Sequence, residues 1–201
     1  TPVPAADPPA PPAFAPPWWL RSPHLQTLWP VLARPLPRVP LTRERLELPD
    51  GDFLDLDWTP GDRGPLVVVF HGLEGSSRSK YVRGLLAAVH ARGWRGVVMH
   101  FRGCGGAANR LPRSYHSGET GDMAFFLERL RGRHPGVPLA AVGYSLGGNA
   151  LLKHLGERGA DALPCCAVAV SVPFDLDACA RTMERGFARL YQWWLVRQLL
   201  A

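Results

Sequence analysis

The stretch Leu139-Ala140-Ala141-Val142-Gly143-Tyr144-Ser145-Leu146-Gly147-Gly148-Asn149-Ala150-Leu151-Leu152 decides the fold. Its first six residues read as a short buried strand. Ala150, Leu151, Leu152 and Leu155 put an apolar face on the helix that follows. Between the two, Gly143, Ser145 and Gly147 stand at the spacing of a sharp strand-to-helix turn. Small flanking residues let the chain fold back tightly and push the serine hydroxyl out at the carboxyl edge of a sheet. The same string could be a simple glycine-rich turn. The strand before it and the helix after it favour a nucleophile elbow.

Working outward, Leu66-Val67-Val68-Val69-Phe70 is a continuous apolar run, the pattern of a parallel strand covered on both faces. Residues 96–101 and 165–172 repeat it. Helical patterns fall between, at 80–91, 123–131 and about 147–157; the second carries Met123, Phe126, Leu127 and Leu130 on one stripe. Upstream, 43–48 and 53–58 flank a Pro49-Asp50-Gly51 turn as a hairpin, with Leu54, Leu56 and Trp58 alternating with Asp55 and Asp57 as on a half-buried strand. Strands alternating with helices predict an α/β fold: a mostly parallel sheet, an N-terminal β-hairpin and helices on both faces. Thirteen of the 21 prolines lie in the first 40 residues, so 1–40 reads as a proline-rich arm, stiff and extended over 1–17. From Trp18 onward its large apolar side chains are suited to docking on a domain. Residues 41–182 form the core, and 183–201 begin a cap or lid helix.

Composition narrows the class. Hydrophobic residues make up 46% of the 201 and charged residues 20%, which excludes a wholly disordered chain. No apolar run approaches the roughly 18 residues of a membrane span. The net charge of +6 comes from arginines scattered among acids, with Lys80 and Lys153 the only lysines; that reads as a solvated surface and not as a nucleic-acid footprint. Cys104, Cys165, Cys166 and Cys179 have neither the spacing of a disulfide framework nor that of a zinc ribbon. No signal peptide is apparent, and a reducing cytoplasm fits best.

An acyl-transfer site needs backbone N–H groups aimed at the developing oxyanion. Beside an elbow these come from the residue after the nucleophile and from a strand–loop junction, here Leu146 and Leu73. The loop Phe70-His71-Gly72-Leu73-Glu74-Gly75 follows a buried strand. His71 and Gly72, with Gly143, Tyr144 and Gly147, are read as supporting elbow and loop. His71, beside the oxyanion loop, suits a structural role better than that of a general base.

Seven separated motifs then resemble the YheT-like branch of the α/β-hydrolases. They are residues 23–30, 71–77, 101–106, 109–120, 143–152, 172–176 and 186–194, and the resemblance runs from about Trp18 to the last residue. The resemblance implies an α/β-hydrolase fold, serine carboxylesterase or acylglycerol-lipase activity, and a Ser…Asp…His triad of which only Ser145 maps onto this chain. Only 56 residues follow Ser145, and their sole histidine, His154, lies on the helix leaving the elbow. Asp161, Asp175 and Asp177 come too early. The expectation is therefore a sheet truncated before its last strands, the triad Asp and His beyond Ala201, and feeble turnover by residues 1–201 alone.

The remaining candidates read blandly. Cys104 suits a packed thiol. His116 and Glu119 lack a third ligand, and helix capping near Ser117 or Thr120 explains them better than metal. Cys165 and Cys166 are expected in the core. Phe187, Leu190, Tyr191, Trp194 and Leu195 form a stripe that packs as a cap helix over an acyl pocket or touches a lipid surface through 187–195. Taken together, the residues predict a serine hydrolase acting on a small-molecule or lipid ester through an acyl-enzyme on Ser145, without cofactor or metal. Acyl transfer to an alcohol acceptor and a non-enzymatic module of the same fold remain as alternatives.

Overall fold

The computed structural model describes residues 13–200. The chain divides into two compact units, Thr1–Pro35 and Leu36–Ala201. In the first, a 3-10 turn at Trp18–Leu20 precedes helix α1 (Pro23–Leu32), whose Pro23 sits in the first turn, where a missing N–H costs nothing. Trp19 meets Trp29 edge-on at 4.8 Å. The arm read for residues 1–17 lies mostly outside the described residues.

In the second unit, β1 (Thr42–Glu47) and β2 (Phe53–Trp58) form the hairpin, followed by β3 (Arg63–Phe70), α2 (Lys80–Ala91), β4 (Trp94–Met99), α3 (Gly121–Arg133), β5 (Leu139–Tyr144), α4 (Leu146–Arg158) and β6 (Cys166–Val170). The six strands run in the order β1-β2-β4-β3-β5-β6. The hairpin pair and β2–β4 are antiparallel, and the other three pairs are parallel. Alternate residues of β3 serve opposite faces. Val67 and Val69 pack with Val82, Leu86 and Val89 of α2, whereas Leu66, Val68 and Phe70 pack with Phe126 and Leu127 of α3 and Leu151 of α4. Helices thus cover both faces, as the sequence predicts.

Adjacent strands β3 and β5 send their connecting helices to opposite faces and opposite directions. Their carboxyl ends therefore meet at a topological switch point, where open α/β sheets place their ligands.

Three expectations are corrected. The Asp55–Asp57 face of β2 is buried, not solvated, because the hairpin register sets Arg43 opposite Asp57 and Arg45 opposite Asp55. Arg43 Nε lies 2.5 Å from Asp57 Oδ1 and Arg45 Nε 3.0 Å from Asp55 Oδ1, and His100 Nε2 meets Asp57 Oδ2 at 2.8 Å. The arginines are not all surface groups, since Arg102 is only 4% exposed. Cys165 and Cys166 are exposed: β6 is the last strand of the sheet among the described residues and its faces are thinly covered, with Val168 55% exposed.

Helix α5 (Leu176–Met183) was not foreseen, although Asp175 caps it by accepting from Ala178 N–H at 2.8 Å. It packs against α6 (Ala188–Leu199). On α6, Tyr191 and Leu195 are half-buried, while Leu190 and Trp194 of the same expected stripe are exposed together with Trp193.

Candidate active site

Two loops build the site. After β5 the chain turns at Ser145, which has φ 51° and ψ −118° and stands at the N-cap of α4. A side-chain-bearing residue in that region costs on the order of 1–3 kcal/mol and persists only where its surroundings hold it. Here the Ser145 N–H donates to Val170 O at the end of β6 (2.8 Å), and its carbonyl accepts from Asn149 N–H (2.9 Å). The flanking glycines are required by close approach. A methyl on Gly143 would stand 2.6 Å from Gly147 O, and one on Gly147 would stand 2.6 Å from Phe70 O and closer still to His71 O. The first turn of α4 therefore crosses directly over the end of β3. Tyr144 is half-buried with its ring 4.6 Å from that of Tyr81.

The loop after β3 lies against the nucleophile, since a methyl on Gly72 would sit 3.2 Å from Ser145 Cβ. Its amides are nearly all committed. Gly72 N–H donates to the Tyr81 hydroxyl at 3.0 Å, Glu74 N–H to the Tyr115 hydroxyl at 2.8 Å, and Gly75 N–H to Gly72 O at 2.9 Å. Within residues 72–75, Leu73 N–H is the one amide with no protein acceptor. Leu146 N–H, in the first turn of α4, has no intrahelical partner by construction, and the positive end of the helix lies there.

His71 is fully buried. Phe101 N–H donates to its Nε2 (3.1 Å), which fixes the tautomer, so Nδ1 carries the proton and donates to Gly72 O at 2.7 Å. Burial, with His100 nearby, holds its pKa down at about 3. A neutral ring with both nitrogens engaged has no lone pair for a substrate proton. It acts instead on the Gly72–Leu73 peptide, whose C=O and N–H share one plane: anchoring Gly72 O anchors the direction of Leu73 N–H. His154 is buried along α4 and its Nδ1 has no partner. Nine residues of helix place it about 13 Å along the axis from Ser145.

Sequence reasoning missed a buried polar hub centred on Arg102, the residue after Phe101. Arg102 donates through Nε and Nη2 to Asp122 (2.7 and 2.8 Å) and through Nη1 to Asp52 (2.9 Å), and Nη2 lies 2.8 Å from Asp50. Burial alone would raise the Asp52 pKa, but hydrogen bonds from Arg110 N–H, Asn109, Phe53 N–H and Arg102 lower it to about 2. The hub ties the hairpin turn to the loop that carries Tyr115. The hairpin register was a usable signal for the Arg43 and Arg45 pairs; nothing local in the sequence marks Arg102.

Other candidates separate from the site. Burial pushes the Cys104 thiol up to about 11. Thr120 occupies the N-cap of α3 but its hydroxyl donates to Glu157 (2.7 Å), and Glu119 Oε1 accepts from Gly121 N–H (2.8 Å) in its place. His116 Nδ1 accepts from Gly118 N–H at 3.1 Å. Among the described residues no three His, Cys, Asp or Glu converge as a metal site, and no helix is long and apolar enough to cross a membrane.

Comparison with known proteins bears on the fold. A family model described as the alpha/beta hydrolase fold matches residues 65–198. The chain is 52% identical over 182 residues to YheT of Escherichia coli strain K12, a protein provisionally named an esterase, covering 89% of this chain and 54% of that protein. It is 34% identical over 129 residues to the monoacylglycerol lipase of Saccharomyces cerevisiae, covering 64% of this chain and 28% of the lipase. Among solved structures, the Pyrococcus furiosus esterase Pf2001 superposes with a TM-score of 0.63 at 22% identity, covering 80% of this chain and 62% of that one. The chain thus spans about half the length of YheT or less of the curated relatives it matches.

Proposed function

The chain belongs to the α/β-hydrolase fold family, and on that premise we propose that it carries the nucleophile of a serine hydrolase cleaving carboxylic esters. One observation carries the reading. Ser145 is held at a positive φ at the head of α4, beside a loop whose uncommitted amide is Leu73 N–H. In this reading Ser145 Oγ attacks the ester carbonyl while a base takes its proton. Leu73 and Leu146 N–H groups receive the oxyanion, the alcohol leaves, and water then releases the acyl group from Ser145.

None of His71, His100 and His154 serves as the base in this reading. His71 has both nitrogens engaged, His100 faces Asp57 and Cys104 O, and His154 sits far down α4. The esterase and lipase names of the relatives support an ester substrate. The exposed aromatic face of α6 suits either a further part of the cap or an acyl-chain surface.

The test is turnover of p-nitrophenyl esters by the full-length protein, with and without added alcohol. Hydrolysis lost in Ser145→Ala supports the reading. Preferential transfer to the alcohol would reassign the activity to an acyltransferase. No turnover at all across acyl lengths would point to a non-enzymatic module.

A further inference from the structure

We infer that Tyr115 is a positioning residue for this reaction: its hydroxyl locks the loop 72–75 in the one arrangement that leaves Leu73 N–H free for the oxyanion. The inference rests on the Ser145 reading above. The Tyr115 hydroxyl accepts from Glu74 N–H and donates to Glu74 Oε1, each at 2.8 Å. One group therefore grips both the main chain and the side chain of the same residue. Glu74 stands at φ 50°, a conformation a residue with a Cβ leaves unless it is held.

The grip is itself rigid. The Tyr115 ring stacks on Phe101 at 5.0 Å and 12° between planes, and Phe101 meets the His71 ring edge-on at 5.0 Å. His71 anchors the peptide before Leu73 through Gly72 O, and Tyr115 anchors the peptide after it through Glu74 N–H. Leu73 is thereby fixed from both sides. Without the hydroxyl, the Leu73–Glu74 peptide is free to rotate. Glu74 N–H then becomes a second unpaired donor beside the nucleophile, and Leu73 is held from the Gly72 side alone.

The experiment uses the full-length protein, a soluble p-nitrophenyl ester, and a trifluoromethyl ketone that forms a tetrahedral adduct on the serine. Tyr115→Phe is expected to lower kcat about tenfold, part of the roughly 10²–10³ lost with an entire oxyanion donor. KM should stay within about twofold, as for an interaction made only in the transition state. Ketone affinity should fall in step with kcat. Glu74→Gln keeps the acceptor but removes its charge, so a smaller fall in the same direction is expected; it carries the test if Tyr115→Phe does not fold. Unchanged kcat and ketone affinity in the folded variants, or a rise in KM alone, would overturn the role of Tyr115 and leave Ser145 standing. A wild-type protein that neither cleaves the ester nor binds the ketone would overturn both.

Discussion

Replacing Gly147 by alanine places a methyl where α4 crosses β3. The added carbon stands 2.6 Å from Phe70 O, against an ordinary contact of 3.4 Å, so the shortfall is about 0.8 Å there and larger at His71 O. Both atoms are main chain at the end of a strand buried on both faces, and neither can swing aside. The start of the helix must therefore retreat, taking Ser145 with it. Overpacking of this kind costs about 1–3 kcal/mol, and alanine's better helix propensity returns at most about 1 kcal/mol. A displacement near 1 Å at a reacting centre costs about 10²-fold in rate. Gly156→Ala, on the same helix, adds its methyl to open space and should stabilise by about 0.5–1 kcal/mol with activity unchanged. Thermal unfolding and ester turnover of the two full-length variants make the comparison. A Gly147→Ala protein with wild-type midpoint and turnover would refute the close crossing on which the elbow depends.

Other consequences follow from buried charge and burial itself. Arg102→Met strands Asp52, which is fully buried, beside Asp50 and Asp122; a loss of about 3 kcal/mol is expected in chemical denaturation. His71 is neutral when folded, with a pKa near 3 against 6.5 in the unfolded chain. Its contribution to stability is complete above pH 6.5 and drains away toward pH 3 at about 1.4 kcal/mol per pH unit. Unfolding free energies measured across that window should show this slope, and His71→Asn should flatten it. Cys104, with its thiol pKa pushed up to about 11, should resist iodoacetamide at pH 8 in the native protein and react on unfolding; rapid native alkylation would contradict its burial.

The fold was legible because its signals are local. Four apolar runs, three helical stripes and one turn set the strands, the helices and their alternation, and Gly143, Ser145 and Gly147 marked the elbow by chemistry that needs small neighbours. What escaped was set by contacts far apart in sequence. Asp55 and Asp57 carry the alternation of a half-solvated strand, yet arginines across the hairpin pair with both where they are buried, and His100 at the end of β4 lies within hydrogen-bond distance of Asp57. Arg102 is one arginine among many until Asp50, Asp52 and Asp122 converge on it. Tyr115 reaches Glu74 across 41 residues, a contact no spacing rule marks. Cys165 and Cys166, at the start of β6, show the opposite case: their apolar run has the pattern of a covered strand, but the sheet has little cover there.

The most direct measurement is peptide mapping of the full-length protein after treatment with an alkyl fluorophosphonate. A single phosphonyl adduct on Ser145, missing from Ser145→Ala, is the expected result. A folded protein that stays unmodified, or that carries the adduct on another residue, would contradict the assignment of Ser145 as the nucleophile.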